Sequence, residues 1–157
     1  MTYIFPAPGV ANVQAVLTLS FAGDLVDLGI PAMQDITINN SNDIFTWTQL
    51  DSGSKLNVAT TATNSLDLNI VLDQTVFFGT GASTANQVAV NKGIFNLSKD
   101  KILTHFALYL GDQSDGTAGK TISGNAYITG LAPSVSADAP VWVSPLTLTV
   151  DGDYTVV

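Results

Sequence analysis

Residues 65 to 73, SLDLNIVLD, alternate apolar and polar side chains along almost their whole length. Leu66, Leu68, Ile70 and Leu72 fall on one side, with Asp67, Asn69, Val71 and Asp73 on the other. Successive side chains of an extended chain point to opposite faces, so a period of two marks a strand buried on one face. A helix would scatter the same leucines around its cylinder. The period returns in VQAVLTLSF, residues 13 to 21, with Val13, Ala15, Leu17, Leu19 and Phe21 on one side. It returns in QDITIN through Ile36 and Ile38, and in IFTWTQL through Phe45 and Trp47. The turn-rich NNSND between those two predicts a hairpin, DSGSK predicts a further turn, and LNVAT reads as a short strand. THFALYL, TISGNAYIT, APVWV, LTLTV and YTVV make the last third a run of hairpins, with the Asp-Gly pairs at 115 and 151 suited to tight turns.

The residue inventory agrees with a strand-rich chain. All 13 acidic residues are Asp and all five basic ones are Lys, with no Glu, Arg or Cys. Two of the best helix formers, Glu and Arg, are thus missing, while Thr, Val, Ile, Asn, Ser and Gly supply strands and turns. Without cysteine there is neither a disulfide framework nor a thiolate metal site, and apolar burial with backbone ladders must hold the core. At 157 residues the expectation is one domain, 1–157, with residues 1–12 as an extended arm. Its expected fold is all-β and mainly antiparallel, a β-sandwich or barrel. One short helix is expected within ANQVAVNKGIFNLSKDK, after the loop GTGAST.

A formal charge of −8 disfavours adhesion to nucleic acid or anionic membranes, which relies on Lys and Arg neutralising phosphates. Such a surface suits DNA that passes without sticking. No run approaches the ~20 apolar residues of a membrane helix, and MTYIFPAPGVANVQ lacks the pattern of a signal peptide. The expectation is a soluble protein made in the cytoplasm.

SDGTAGKTISG, residues 114 to 124, ends like a phosphate-binding loop, but Ser114 stands where the first glycine belongs. A β-branched alternating segment follows Lys120 in place of a helix, so the segment reads as a glycine-rich hairpin loop. His105, the sole histidine, lies in a strand pattern without a partner ligand. The DGD at 151 and NNSND lack the acid spacing of a calcium loop, and Asn39 and Asn96 begin glycosylation triplets that carry little without a secretory signal. Asp67 and Asp73 would stand about 20 Å apart on an extended strand, too far for paired acid–base work. The chain is expected to be no enzyme and to need no cofactor or metal.

The segment SGNAYITGLAPSVSADAPVWVSPLTLTVDGDYTVV resembles the carboxy-terminal end of phage tail tube proteins. The matching positions are Gly124, Ala126, Tyr127, Ile128, Thr129, Leu131, Asp138, Ala139, Pro140, Val141, Leu146 to Val150, Asp151 and Gly152. The resemblance implies a fold of the tail-tube type, with its short helix between 86 and 101. It implies a virion subunit whose sixfold rings stack into a hollow tube that conducts DNA during ejection. Tail terminator, baseplate or tape-measure proteins, and a sheath, would be its other partners, with no membrane involved. A ring of six would carry about −48 formal charges. On this reading Asp67, Asn69 and Asp73 are candidates for the lumen face. Tyr3, Ile4 and Phe5 of the arm, with Asp51, Ser52, Gly53, Ser54 and Lys55 of an exposed hairpin tip, are candidates for contacts between rings. Two other readings fit the composition. A capsid decoration protein would stop at a monomer or trimer, and a secreted carbohydrate-binding or adhesin module would need exposed Trp. Trp47 and Trp142 lie in strand patterns, where core packing is the expected use.

Overall fold

The structure, a computed structural model, describes residues 15–30, 33–51, 53–111, 119–138 and 140–157. In chain order the elements are β1 (Val16–Ser20), β2 (Leu28–Ile30), β3 (Met33–Thr48), β4 (Lys55–Val71), α1 (Gln74–Phe78), α2 (Val88–Lys99), β5 (Thr104–Leu110), β6 (Lys120–Leu131) and β7 (Val143–Val156). The strands form one seven-stranded sheet in the order β2-β1-β5-β6-β7-β4-β3, and every pairing is antiparallel.

That sheet cannot be flat. β2 and β3 are its two edges, and six interstrand spacings would hold them roughly 29 Å apart in a plane. Yet Ile30 ends β2 and Met33 starts β3, and so short a link spans at most about 11 Å. The sheet therefore curls until its edges approach, which is how the sandwich-or-barrel expectation is met by a single sheet.

The concave side holds the core. Registers Leu17↔Leu108 and Leu19↔Phe106, Ile128↔Leu148, and Leu66↔Leu148 bring inward-facing residues of neighbouring strands into line. They join Leu68, Ile70, Ala126 and Leu146 in one buried cluster that also takes in Phe77, Ala89, Ile94 and Leu97 of the helices. Each such aliphatic or aromatic side chain contributes about 1.5–3 kcal/mol of burial. The alternation of SLDLNIVLD is thus realised in space: Leu66, Leu68 and Ile70 are buried while Asp67 and Asn69 face away. Thr104, fully buried, keeps its hydroxyl satisfied by donating to the Ala126 carbonyl at 2.9 Å.

The helical insert depends on residues that supply caps and close approaches. Asp73 caps α1, its carboxylate accepting from the Thr75 and Val76 amides at 3.0 Å. α2 has no side-chain cap from its own Gln87. Asp24, far away in sequence, accepts instead from the Val88 and Ala89 amides at 2.8 and 3.1 Å and from the Phe21 amide at 2.9 Å. Burial by itself would raise the Asp24 pKa, but the three amide donors outweigh it and hold the carboxyl below its ordinary range. α2 is kinked at Gly93, with φ 72° and ψ 172°, where it crosses Gly79 at the end of α1. A side chain on Gly93 would collide with the Gly79 amide nitrogen, and one on Gly79 with the Asn91 carbonyl. That kink is why residues 79 to 101 show no clean period.

Several expectations change. NNSND is no hairpin, because β3 runs unbroken through it from Met33 to Thr48. LNVAT and SLDLNIVLD are one strand, β4. DGD is no turn either: β7 continues through it, and Gly152 sits at φ 79° where the β6–β7 register slips between Ser123 and Asn125. The expected single helix corresponds to α2, and α1 adds a second. One expectation holds: TISGNAYIT lies in β6, so a strand and no helix follows Lys120. Asp115 and Gly116 lie outside the described residues.

Candidate assembly surfaces

The outer side of the sheet from β3 to β6 is built from short polar side chains. Strand register lines up Asp35 with Asn69, Thr37 with Asp67 and Thr147, and Ser65 with Thr149 and Tyr127. The side chains then bond across strands. Asp67 accepts from Asn39 of β3 and from the Thr147 hydroxyl of β7 at 2.8 Å, so one carboxylate ties three strands together. Asn69 donates to both oxygens of Asp35 at 3.0 and 3.1 Å, and the Thr129 and Thr149 hydroxyls lie 2.8 Å apart. The charged residues that these registers place on this face, Asp35, Asp67 and Asp151, are all acidic. Asp67 and Asn69 therefore belong together. Asp73 does not join them, because β4 ends at Val71 and the Asp73 carboxylate is taken up capping α1.

A second surface leaves the body of the molecule. β7 accompanies β4 only as far as Ser65↔Thr149, whereas β3 and β4 stay paired out to Thr48↔Lys55. From Asn42 and Ala62 outward the hairpin is a bare two-stranded ribbon. It carries a bulge between Asn42 and Ile44, where the Thr61 hydroxyl donates to the Asp43 carboxylate at 2.8 Å. Past the bulge Phe45 pairs with Val58 and Trp47 with Leu56, making one apolar face, and the two rings stack at 5.8 Å between centroids. Phe45 is 58% exposed, Ile44 64% and Trp47 36%. Trp47 is thus no core residue, and neither is Trp142, which precedes β7 and is 54% exposed. Sequence reading missed this because a strand of period two looks the same whether a body or a neighbour covers it. Asp51, Gly53, Ser54 and Lys55 are exposed at the ribbon tip. Ser52, Tyr3, Ile4 and Phe5 lie outside the described residues.

His105 is exposed on β5, opposite Ser20 and Asn125. The described residues hold no group of three or more His, Cys, Asp or Glu that could bind a metal ion, and no helix long and apolar enough to cross a membrane.

No family model matches the sequence, and no curated protein matches it either. Solved structures do. A chain from the tail of an empty gene transfer agent particle with C6 symmetry superposes with a TM-score of 0.65 at 13% identity, over 90% of this chain and 94% of that one. The SPP1 tail tube gives 0.63 at 14% identity, over 90% and 75%. A chain of the anti-feeding prophage baseplate gives 0.60 at 13% identity, over 98% and 97%. At these identities the likeness is one of fold, and the chain has the fold of phage-type tail tube proteins.

Proposed function

We propose that this chain is a structural virion protein, a subunit that assembles with its own copies into hexameric rings and a hollow tail tube through which DNA passes. The observation that carries the reading is the ribbon of β3 and β4. A two-stranded hairpin in water is marginal by itself, and one exposing Phe45, Trp47, Ile44 and Val58 gains its stability by being covered. A subunit that stays monomeric has no use for such an element. The tail-tube fold supports the same reading.

In this assembly the Asp35, Asp67 and Asn69 face lines the lumen. Its carboxylates repel phosphate, and its hydroxyls and amides are already bonded to one another, so DNA slides past with few donors free to hold it. The ribbon tip, Asp51 to Lys55, and the amino-terminal arm with Tyr3, Ile4 and Phe5 bridge successive rings. Tail terminator, baseplate or tape-measure proteins are the subunit's other partners. The protein has no catalytic role and takes no cofactor.

Negative-stain electron microscopy of the concentrated protein tests this reading. Long hollow tubes or stacked rings are the expected result. Discrete monomers or trimers that bind capsid shells would replace it with a decoration protein.

A further inference from the structure

At the far end of β4 from the ribbon lies an apolar groove of about 460 Å³, lined by Leu72, Phe77, Phe78, Phe95, Pro133 and Trp142 with Asp73 and Gln74 at its rim. Its floor is an aromatic cluster. Phe77 and Phe78 meet edge to face at 4.9 Å, and Phe95 packs 5.8 Å from each. The wall opposite is Trp142, held in place because its carbonyl accepts from the Leu72 amide at 2.9 Å. Phe78 and Phe95 stay 54% and 40% exposed. The one carboxylate at the rim, Asp73, accepts from two α1 amides through Oδ1.

We infer that this groove receives the Phe45/Trp47 face of the ribbon from a second copy of the chain, one ring further along the tube. The inference rests on the tube reading and adds the acceptor site to it. Three observations single out a second copy as the occupant. Both surfaces are mainly aromatic, and the one charge at the groove, the Asp73 carboxylate, already accepts two amides. The stacked Phe45 and Trp47 rings, backed by Val58 and Leu56, form a preorganised blade, and rings set in this way offer the offset and edge contacts that the Phe77, Phe78 and Phe95 floor can return. Placement is the third. Donor and acceptor sit at opposite ends of β4, whose 17 residues extend about 50 Å. A chain cannot fill its own groove over that distance. Contact between two different patches is heterologous and repeats from copy to copy, and with the patches at opposite ends of the long strand it extends as an open stack wherever the rotation does not close a ring.

The absence of native cysteine makes the contact directly measurable. Val58→Cys is combined with Gln74→Cys in one chain, and with Val141→Cys in another. None of these removes a ring from the contact, and oxidation is followed by non-reducing electrophoresis beside electron microscopy. At least one pair is expected to give a ladder running well past dimer, with each single-cysteine variant stopping at dimer. Trp142→Ala is expected to raise the concentration needed for assembly about tenfold or more, with the far-ultraviolet circular dichroism of the subunit unchanged. Tubes that form while neither pair links overturn the groove contact and leave the tube reading standing. A ladder without tubes supports the contact and overturns the tube. Neither tubes nor ladder overturns both. Tubes in which Phe5→Cys links to Gln74→Cys, while both ribbon pairs fail, would give the groove to the amino-terminal arm.

Discussion

Asp24 holds together two parts of the chain that are distant in sequence. Three amides from the Phe21 turn and the start of α2 converge on one carboxylate, so Asp24→Ala leaves the first turn of α2 uncapped. A loss of about 1–2 kcal/mol is expected in urea denaturation of the dispersed subunit. The pH dependence follows from the direction of the shift. Folding lowers this pKa, so the contribution is complete above the ordinary value of 3.8 and is lost as pH falls through the lower folded value. An acid titration should therefore show a steeper loss of stability below about pH 4 in the natural protein than in the Ala variant. No local rule exposes this residue. Asp24 looks like one more turn aspartate in FAGDLVDLG, and its partners appear 64 residues later at Val88. Asp73 shows the reverse case: alternation placed it on the strand face, whereas its position before QTVFF makes it a helix cap.

At the scale of elements, the crossing of α1 and α2 relies on two glycines whose backbones touch. Gly93→Ala combines a conformation open almost exclusively to glycine with a collision against Gly79, and a cost of about 3 kcal/mol or more is expected. Gly152→Ala is the control. It shares the positive φ but has nothing within 4 Å of its added methyl, so only the backbone strain of about 1–2 kcal/mol is expected. Equal losses in the two variants, measured by urea denaturation, would remove the close approach as the cause. The strands were legible in the sequence where one face is buried by the chain's own body, as Leu17, Leu19, Leu66, Leu68 and Ile70 show. Their continuity was not. Asn39 to Asp43 have the residue types of a turn, but cross-strand bonds such as Asn39 to Asp67 and Asn40 to Tyr154 hold them extended. Of the surfaces, the polar pair Asp67 and Asn69 could be read from period two, while the apolar ribbon could not.

For the whole molecule, the proposed function expects separable contributions to assembly from residues 2–9 and from the ribbon. Deleting residues 2–9 should abolish polymerisation while leaving the thermal transition of the subunit in place, because the described core begins with β1. Light scattering and calorimetry on the same sample check this, and unchanged tube growth would remove the arm from the assembly. The strand order also sets how the molecule must be made. β3 and β4 meet across a tight loop, so their ribbon can form while the rest of the chain is still being synthesised, and hairpins close in about 1–10 μs. β1 waits for β5, and β4 waits for β7, the last strand of all. Trp142, which walls the acceptor groove, comes just ahead of that strand. On the inferred contact, the residues of the donor ribbon are thus made well before Trp142 of the acceptor groove, and both surfaces are complete only once β7 has closed the sheet.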